Sequence, residues 1–194
     1  MKKIKRVIQF FLFVVMLYFF IVLGTKDFQT KTTDNVRFSS DYKDISKNNV
    51  YQYIGEYEVL DLFNGKSGIV FFGFPANIWS HYYADYLNEV ALWNGLDTIY
   101  YYNFRRDRSM NNKAYMYIVN YLKDYLVPDD VGTMDIKAPA VVVLKNGKIM
   151  YFNNEITFLK GMVTPEEYFT DSKKLQLKSS FDQAIKEYLK EDVA

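Results

Sequence analysis

The segment GFPANIWSHYY, residues 73–83, contains two adjacent side chains of catalytic type, Ser80 and His81, the only histidine of the chain. A serine becomes a nucleophile when a neighbouring base accepts its proton and a third group orients that base. Adjacent residues on a helix point about 100° apart, so His81 is poorly placed to activate Ser80, and no Asp or Glu is identifiable as its orienting partner. The pattern does not favour a serine hydrolase, and a cysteine-free enzyme is kept as a third alternative.

A metal site or a phosphate-binding loop would need residues that the chain does not place together. His81 and Asp85, one helical turn apart, are two ligands, which do not make a site. NGKSG, residues 64–68, imitates the end of a phosphate-binding loop, but that motif requires glycine where Leu60 stands and follows a strand. We predict no metal and no cofactor, and we interpret His81 as a solvated or hydrogen-bonded surface residue.

Composition narrows the chemistry further. The chain has no cysteine, which excludes structural disulfides, thiolate ligands and thiol-disulfide chemistry by its own side chains. Lys and Arg total 24 against 23 Asp and Glu, and a net charge of +1 does not favour nucleic acid as a partner. The aromatic content of 19% is typical of a half-buried, tyrosine-rich sheet, with a binding face as the alternative.

The N-terminus predicts a membrane anchor. After MKKIKR, the 17 residues Val7 to Leu23 are apolar apart from Gln9, just long enough to cross a bilayer core as a helix. The basic flank should stay cytoplasmic and the rest of the chain should lie on the extracytoplasmic side. A cleaved signal peptide is the alternative, although GTKDFQT offers no typical cleavage site.

The remaining sequence predicts one globular domain behind a spacer. We assign residues 1–24 to the flank and transmembrane signal anchor, 25–49 to a polar tether, and 50–194 to the domain. Hydrophobic periodicity predicts an α/β fold, a mixed sheet with helices on both faces. The expected elements are a helix in 53–63, a strand at 68–74, a helix at 78–93, a strand at 98–104, a helix at 111–125, a hairpin in 138–154 turning at Asn146-Gly147, and a closing helical region at 165–189.

This order of elements resembles the thioredoxin fold, and two local matches carry the resemblance. APAVVVLKNGKI, residues 138–149, resembles the family segment in which a cis-proline begins a strand that leads into a glycine-containing hairpin. GFPANIWS, residues 73–80, resembles the GFPxCPWC loop of exported thioredoxin-like proteins. The chain is thus identified as similar to the thioredoxin-like superfamily over about residues 50–189, with a degenerate NIWS motif.

The resemblance assigns positions to a site that has lost its sulfur. The two family cysteines fall on Asn77 and Ser80, the intervening proline falls on Ile78, and the tryptophan is retained as Trp79. Asn77 also suits a helix N-cap, a position where asparagine contributes about 1 kcal/mol relative to alanine.

The family match also implies that the Ala138-Pro139 bond is cis; a trans proline opening a strand is the alternative. Trp79 and Pro139 would line the family's groove for extended peptides, unless Trp79 is buried against the helix instead.

We therefore expect a redox-inactive, membrane-anchored protein that binds an exported polypeptide or a partner protein. The expected site comprises the vestigial loop and the dipeptide at Pro139, with strand addition as the mode of binding. The alternative is an accessory subunit of an exported complex, for example in peptide export, that binds through its tyrosine-rich helical faces. The basic cluster Arg105, Arg106 and Arg108 could grip an acidic partner or a lipid head group, but with Asp107 among them a solvated turn is the favoured interpretation.

Overall fold

The strands form one mixed sheet of five, in the order β1-β3-β2-β4-β5. The computed structural model describes residues 33–154 and 163–190. β3 runs parallel to β1 and β2, whereas β4 is antiparallel to β2 and β5 is antiparallel to β4. The strands are β1 (Tyr51–Tyr53), β2 (Gly68–Phe72), β3 (Ile99–Tyr102), β4 (Ala140–Lys145) and β5 (Lys148–Asn153).

Helices cover both faces of this sheet. One core cluster is formed with α1, α3 and α7, and a second with α2 and α5. The predicted α/β class, with a mixed sheet and helices on both faces, is therefore confirmed. The helices of the described residues are α1 (Asp34–Asp41), α2 (Glu56–Phe63), α3 (Ile78–Trp93), α4 (Arg105–Ser109), α5 (Lys113–Leu122), α6 (Pro165–Tyr168) and α7 (Asp171–Leu189).

The central strands β2 and β4 have continuous apolar sequences because both of their faces are buried. Every residue of β2 is buried, as is the apolar run of β4. Because side chains alternate along a strand, Ile69 and Phe71 enter the first core cluster while Val70 and Phe72 enter the second. A strand with helices packed on both faces needs apolar residues at every position.

The sequence predicted a polar tether over residues 25–49. This prediction is wrong for residues 33–49, which are folded. The second of the chain's two compact units begins at Thr33, so the folded domain does not begin near Val50. Phe38 and Tyr42 are fully buried, and the Phe38 ring stacks on Tyr51 of β1 with 3.9 Å between centroids. A few large rings anchor a polar helix of only eight residues, too short for its pattern to show in the sequence.

Three other boundaries differ from the sequence prediction. Tyr53 lies in strand β1, so α2 begins only at Glu56. The arginine-rich segment is the short helix α4 rather than a turn. The closing helical region is divided into α6 and α7, because Thr164 and Thr170 each accept a hydrogen bond from a backbone N–H and cap separate helices.

Tyrosine hydroxyl groups enter the core with partners of their own. Tyr42 and Tyr101 are hydrogen-bonded to each other at 3.1 Å, and the Tyr51 hydroxyl donates to the carbonyl of Ala84 at 2.7 Å. In each case the tyrosine ring packs against apolar neighbours while its hydroxyl has a hydrogen-bond partner, which a buried tyrosine requires.

The predicted membrane segment, Val7 to Leu23, lies outside the described residues. Within 33–154 and 163–190, no helix has both the length and the apolar character needed to cross a bilayer.

Candidate functional site

The loop after β2 meets the chain before β4 because these strands are antiparallel neighbours. Phe72, the last residue of β2, pairs with Ala140, the first residue of β4. The segments that follow and precede these residues must therefore lie side by side at one edge of the sheet. This register brings residues 73–80 close to the dipeptide Ala138-Pro139, as the resemblance to the thioredoxin fold predicted.

Asn77 connects the two segments with a single side chain. Its Oδ1 accepts a hydrogen bond from the N–H of Ser80 at 3.0 Å, which makes it the N-cap of α3. Its Nδ2 donates to the carbonyl of Ala138 at 3.2 Å. The predicted opening of a helix at Asn77 is confirmed, and the Ala138-Pro139 bond is cis, as predicted.

One backbone donor at this site is left unused. Ala138 is half-buried, and its N–H has no hydrogen-bond acceptor within the described part of the chain. Its carbonyl is already engaged by Asn77. Ile78, 51% exposed, lies at the start of α3 directly after Asn77. The site therefore combines a main-chain N–H that is unpaired among the described residues with one exposed apolar side chain.

Ser80 is not placed to act as a nucleophile. The residue is fully buried, and its Oγ has no hydrogen-bond partner among the described residues. A Cβ placed on Gly73 would lie 3.2 Å from that oxygen, so the hydroxyl faces the backbone at the end of β2. Burial without a base leaves the hydroxyl unactivated.

Trp79 packs inward rather than lining an open groove. Its ring lies against Tyr168 and Phe169 at centroid distances of 5.7 and 5.8 Å, and it joins the first core cluster as a partly buried side chain. The buried alternative for Trp79 is therefore the better description, and Ile78 takes over as the exposed apolar residue of the loop.

His81 is hydrogen-bonded in the way that the sequence interpretation favoured. Its Nε2 lies 2.8 Å from the carbonyl of Pro75, and since a carbonyl only accepts, Nε2 carries a proton. Its Nδ1 lies 3.7 Å from Oδ2 of Asp44. This separation exceeds hydrogen-bond distance, so the hydrogen bond to Pro75 fixes the imidazole while the carboxylate of Asp44 lies close to it.

An acidic cleft of about 350 Å³ runs over the outer face of α3. The hydroxyl of Tyr82 donates to the carboxylate of Glu166, and this bond holds the pKa of Glu166 below its usual range. Sequence analysis missed Asp44 and Glu166 because only the tertiary fold brings them to α3. The cleft is lined by Asp44, Ile78, His81, Tyr82, Asp85 and Glu166.

Comparisons with known proteins add no family to this description. No protein-family model matches the chain, and no curated protein matches it.

Proposed function

We propose that the chain is a thioredoxin-fold protein whose vestigial site binds an exported polypeptide without redox chemistry. Three features support this proposal: the strand order β1-β3-β2-β4-β5, α3 beginning at the loop after β2, and a cis-proline before β4 beside that loop. The absence of cysteine from the chain removes the chemistry that such a site performs with thiols. Binding is the function that the remaining groups can serve.

The observation that carries the proposal is the N–H of Ala138, which is unpaired among the described residues and belongs to the residue that Asn77 contacts, one position before the exposed Ile78. An extended polypeptide that lies along residues 137–139 would supply a carbonyl to this N–H, which is recognition by strand addition. The carbonyl of Ala138 already accepts a hydrogen bond from Nδ2 of Asn77, so its N–H is the main-chain group of this residue that lacks a partner among the described residues. The apolar side chain of Ile78 would contact a side chain of the bound polypeptide.

In this proposal the domain lies on the extracytoplasmic side of the cell membrane, anchored by residues 7–23. The site would then face polypeptides during or after their export. Similarity to exported thioredoxin-like proteins suggests this setting, and the anchor remains a prediction from the sequence.

Site-specific photocrosslinking tests the binding site. A photoreactive amino acid at Ile78, in the full-length protein in its native membrane, should form adducts with exported polypeptides. The matched control places the same amino acid at Tyr57 on α2, which is 70% exposed and belongs to a helix on the other face of the sheet. Adducts of equal yield from both positions, or from Tyr57 alone, would contradict the proposed groove.

An accessory-subunit role is the second candidate, and a surface on α5 favours it. Met116, Tyr117 and Tyr121 are each more than two-fifths exposed on this helix. Aromatic residues and methionine are enriched in protein interfaces relative to the rest of the protein surface. Exposed apolar patches mark interaction sites. Crosslinks from Tyr117 that persist when those from Ile78 are absent would support this role instead.

A further inference from the structure

The chain leaves the sheet in opposite directions at the carboxyl ends of β2 and β3. The two strands are parallel neighbours, and Phe72 pairs with Tyr102 at their ends. The connection after β2 leads to α3 in the first core cluster, while the connection after β3 leads to α5 in the second. In open α/β sheets, ligands bind where neighbouring connections diverge in this way.

The connection after β3 carries basic side chains that are not compensated by acidic partners among the described residues. An open depression of about 590 Å³ is lined by Asn103, Arg105, Arg106 and Ser109. Arg105 and Arg106 are exposed, and neither guanidinium has an ion pair or a hydrogen-bond acceptor within residues 33–154 and 163–190. The nearby carboxylate of Asp107 instead accepts a hydrogen bond from the hydroxyl of Tyr102 at 2.7 Å. Arg105 and Arg106 are thus solvated, as the sequence interpretation favoured, but they lie on a short helix rather than in a turn.

Phe74 joins the basic depression to the proposed groove. The guanidinium carbon of Arg105 lies 5.6 Å from the centre of the Phe74 ring. The carbonyl of Phe74 accepts a hydrogen bond from the N–H of Asn77 at 3.0 Å. The arginine and the loop residue are therefore separated by one aromatic side chain and its own backbone.

The side chain of Arg108, unlike those of Arg105 and Arg106, is bound within the protein. Its Nη1 donates to the carbonyl of Ile136 at 3.3 Å, and its Nε lies 3.7 Å from the carboxylate of Asp135. These contacts brace the segment that leads into Pro139. Arg108 thus positions the groove, while Arg105 and Arg106 remain available to a ligand.

We propose that Arg105 and Arg106 form a subsite for carboxylate groups of an acidic polypeptide segment. The proposal rests on the proposed function, because the segment would continue into the groove beside Ala138. A guanidinium presents a planar pair of N–H donors that matches a carboxylate, and an arginine packed on an aromatic face is pre-organised for such contacts. The depression is open to solvent, so the carboxylate side chains of a bound segment could reach both arginines.

The test uses two synthetic peptides of equal length, one with alternating Asp and Glu and the other with Asn and Gln in their place. Calorimetric titration of the full-length protein in a non-ionic detergent should show the acidic peptide binding about tenfold more tightly at low salt. This preference should shrink as salt is added.

Variants of the arginines locate the preference. The double variant Arg105→Gln with Arg106→Gln should remove it, while Arg105→Lys with Arg106→Lys should retain part of it because the charge remains without the planar donor pair. The matched control, Lys43→Gln with Lys47→Gln, removes two exposed positive charges between α1 and β1. This control should bind like the parent protein, and circular dichroism should show that every variant is folded.

The outcomes separate this subsite from the groove. Equal affinity for the two peptides would overturn the carboxylate subsite and leave the groove in place. Arginine-dependent binding that is unchanged by Ile78→Asp would support the subsite and overturn the groove. Arginine-dependent binding of inorganic phosphate or of phosphatidylglycerol vesicles, without peptide preference, would assign these residues to a phosphate-bearing ligand and overturn the proposal. Failure of both peptides to bind would overturn both.

Discussion

Asn77 holds the loop after β2 in its shape through both ends of its side-chain amide. Its amide accepts from the N–H of Ser80 and donates to the carbonyl of Ala138, whereas a thiol is only a weak donor and acceptor. The role as N-cap follows from the sequence, because asparagine before an apolar helical pattern favours that position. The contact with Ala138 does not, since it spans 61 positions and depends on the pairing of β2 with β4.

At the same scale, Asn77→Cys with Ser80→Cys should create a working dithiol. Residues three apart at a helix start have Cβ atoms about 5–6 Å apart, within adjustment of the roughly 3.5–4.5 Å that a disulfide requires. The variant should form an intramolecular disulfide in air and reduce a test disulfide that the parent protein leaves intact. The thiol introduced at position 77 should titrate below the usual pKa of about 8.5, because the helix N-terminus favours its thiolate.

Thiol quantification, mass spectrometry and a pH titration of alkylation rate measure these outcomes. The single variant Ser80→Cys is the control, since it places one buried thiol without a partner. A folded double variant whose thiols stay apart, or show no lowered pKa, would mark the loop as ordinary and end the vestigial-site proposal.

Among the elements, α1 shows how a few aromatic residues decide the extent of a domain. Phe38→Ala should lower the free energy of unfolding by about 3–5 kcal/mol, because the ring is fully buried and its removal leaves a cavity. Denaturant unfolding measures this change. Tyr57→Ala, at an exposed position of α2, should change stability by only about 0.5 kcal/mol or less. Similar losses for the two variants would return the segment before β1 to the role of a tether.

The short helix α6 is joined to α3 by a hydrogen bond between Tyr82 and Glu166. Their hydrogen bond lowers the pKa of Glu166 and raises the pKa of Tyr82 to about 12. A carboxyl whose pKa is lowered on folding stabilises the protein above its unfolded pKa, about 4.3, and this stabilisation disappears as pH falls.

Tyr82→Phe should therefore flatten the loss of stability between neutral and acidic pH, as measured by chemical unfolding across that range. Glu166→Gln should flatten it at least as much, because backbone and Thr164 hydrogen bonds also lower the pKa of this carboxyl, and the double variant should flatten it no more than Glu166→Gln alone. Additive effects of the two changes would show that the residues stabilise the fold separately.

For the whole molecule, the sequence predicted what periodicity encodes and missed what only tertiary contacts decide. The span of α3 and the central strands were predicted closely, because long apolar patterns leave few alternatives. The three-residue strand β1 was missed, since its residues YQY also continue a helical pattern. The arginine cluster was identified from the sequence. Its position near the loop after β2 could not be, because that position depends on the tertiary fold.

The predicted membrane anchor belongs to the scale of the whole chain. The full-length protein should sediment with membranes, and protease added outside the cell should remove its domain. Antibody detection of both fractions measures this outcome. A soluble species shortened by about 25 residues would show signal-peptide cleavage instead.

The tyrosine hydroxyl groups buried in the first core cluster make the fold sensitive to alkali. Burial raises the pKa of Tyr42, Tyr51 and Tyr101 above the usual value, because a phenolate cannot be hydrated there. The unfolded chain ionises these groups near pH 10 while the folded chain does not, so stability falls as pH rises beyond that point. Tyrosinate absorbance should therefore appear in two stages during alkaline titration. The second stage should coincide with the loss of circular dichroism, and a single smooth stage in a folded protein would contradict this account.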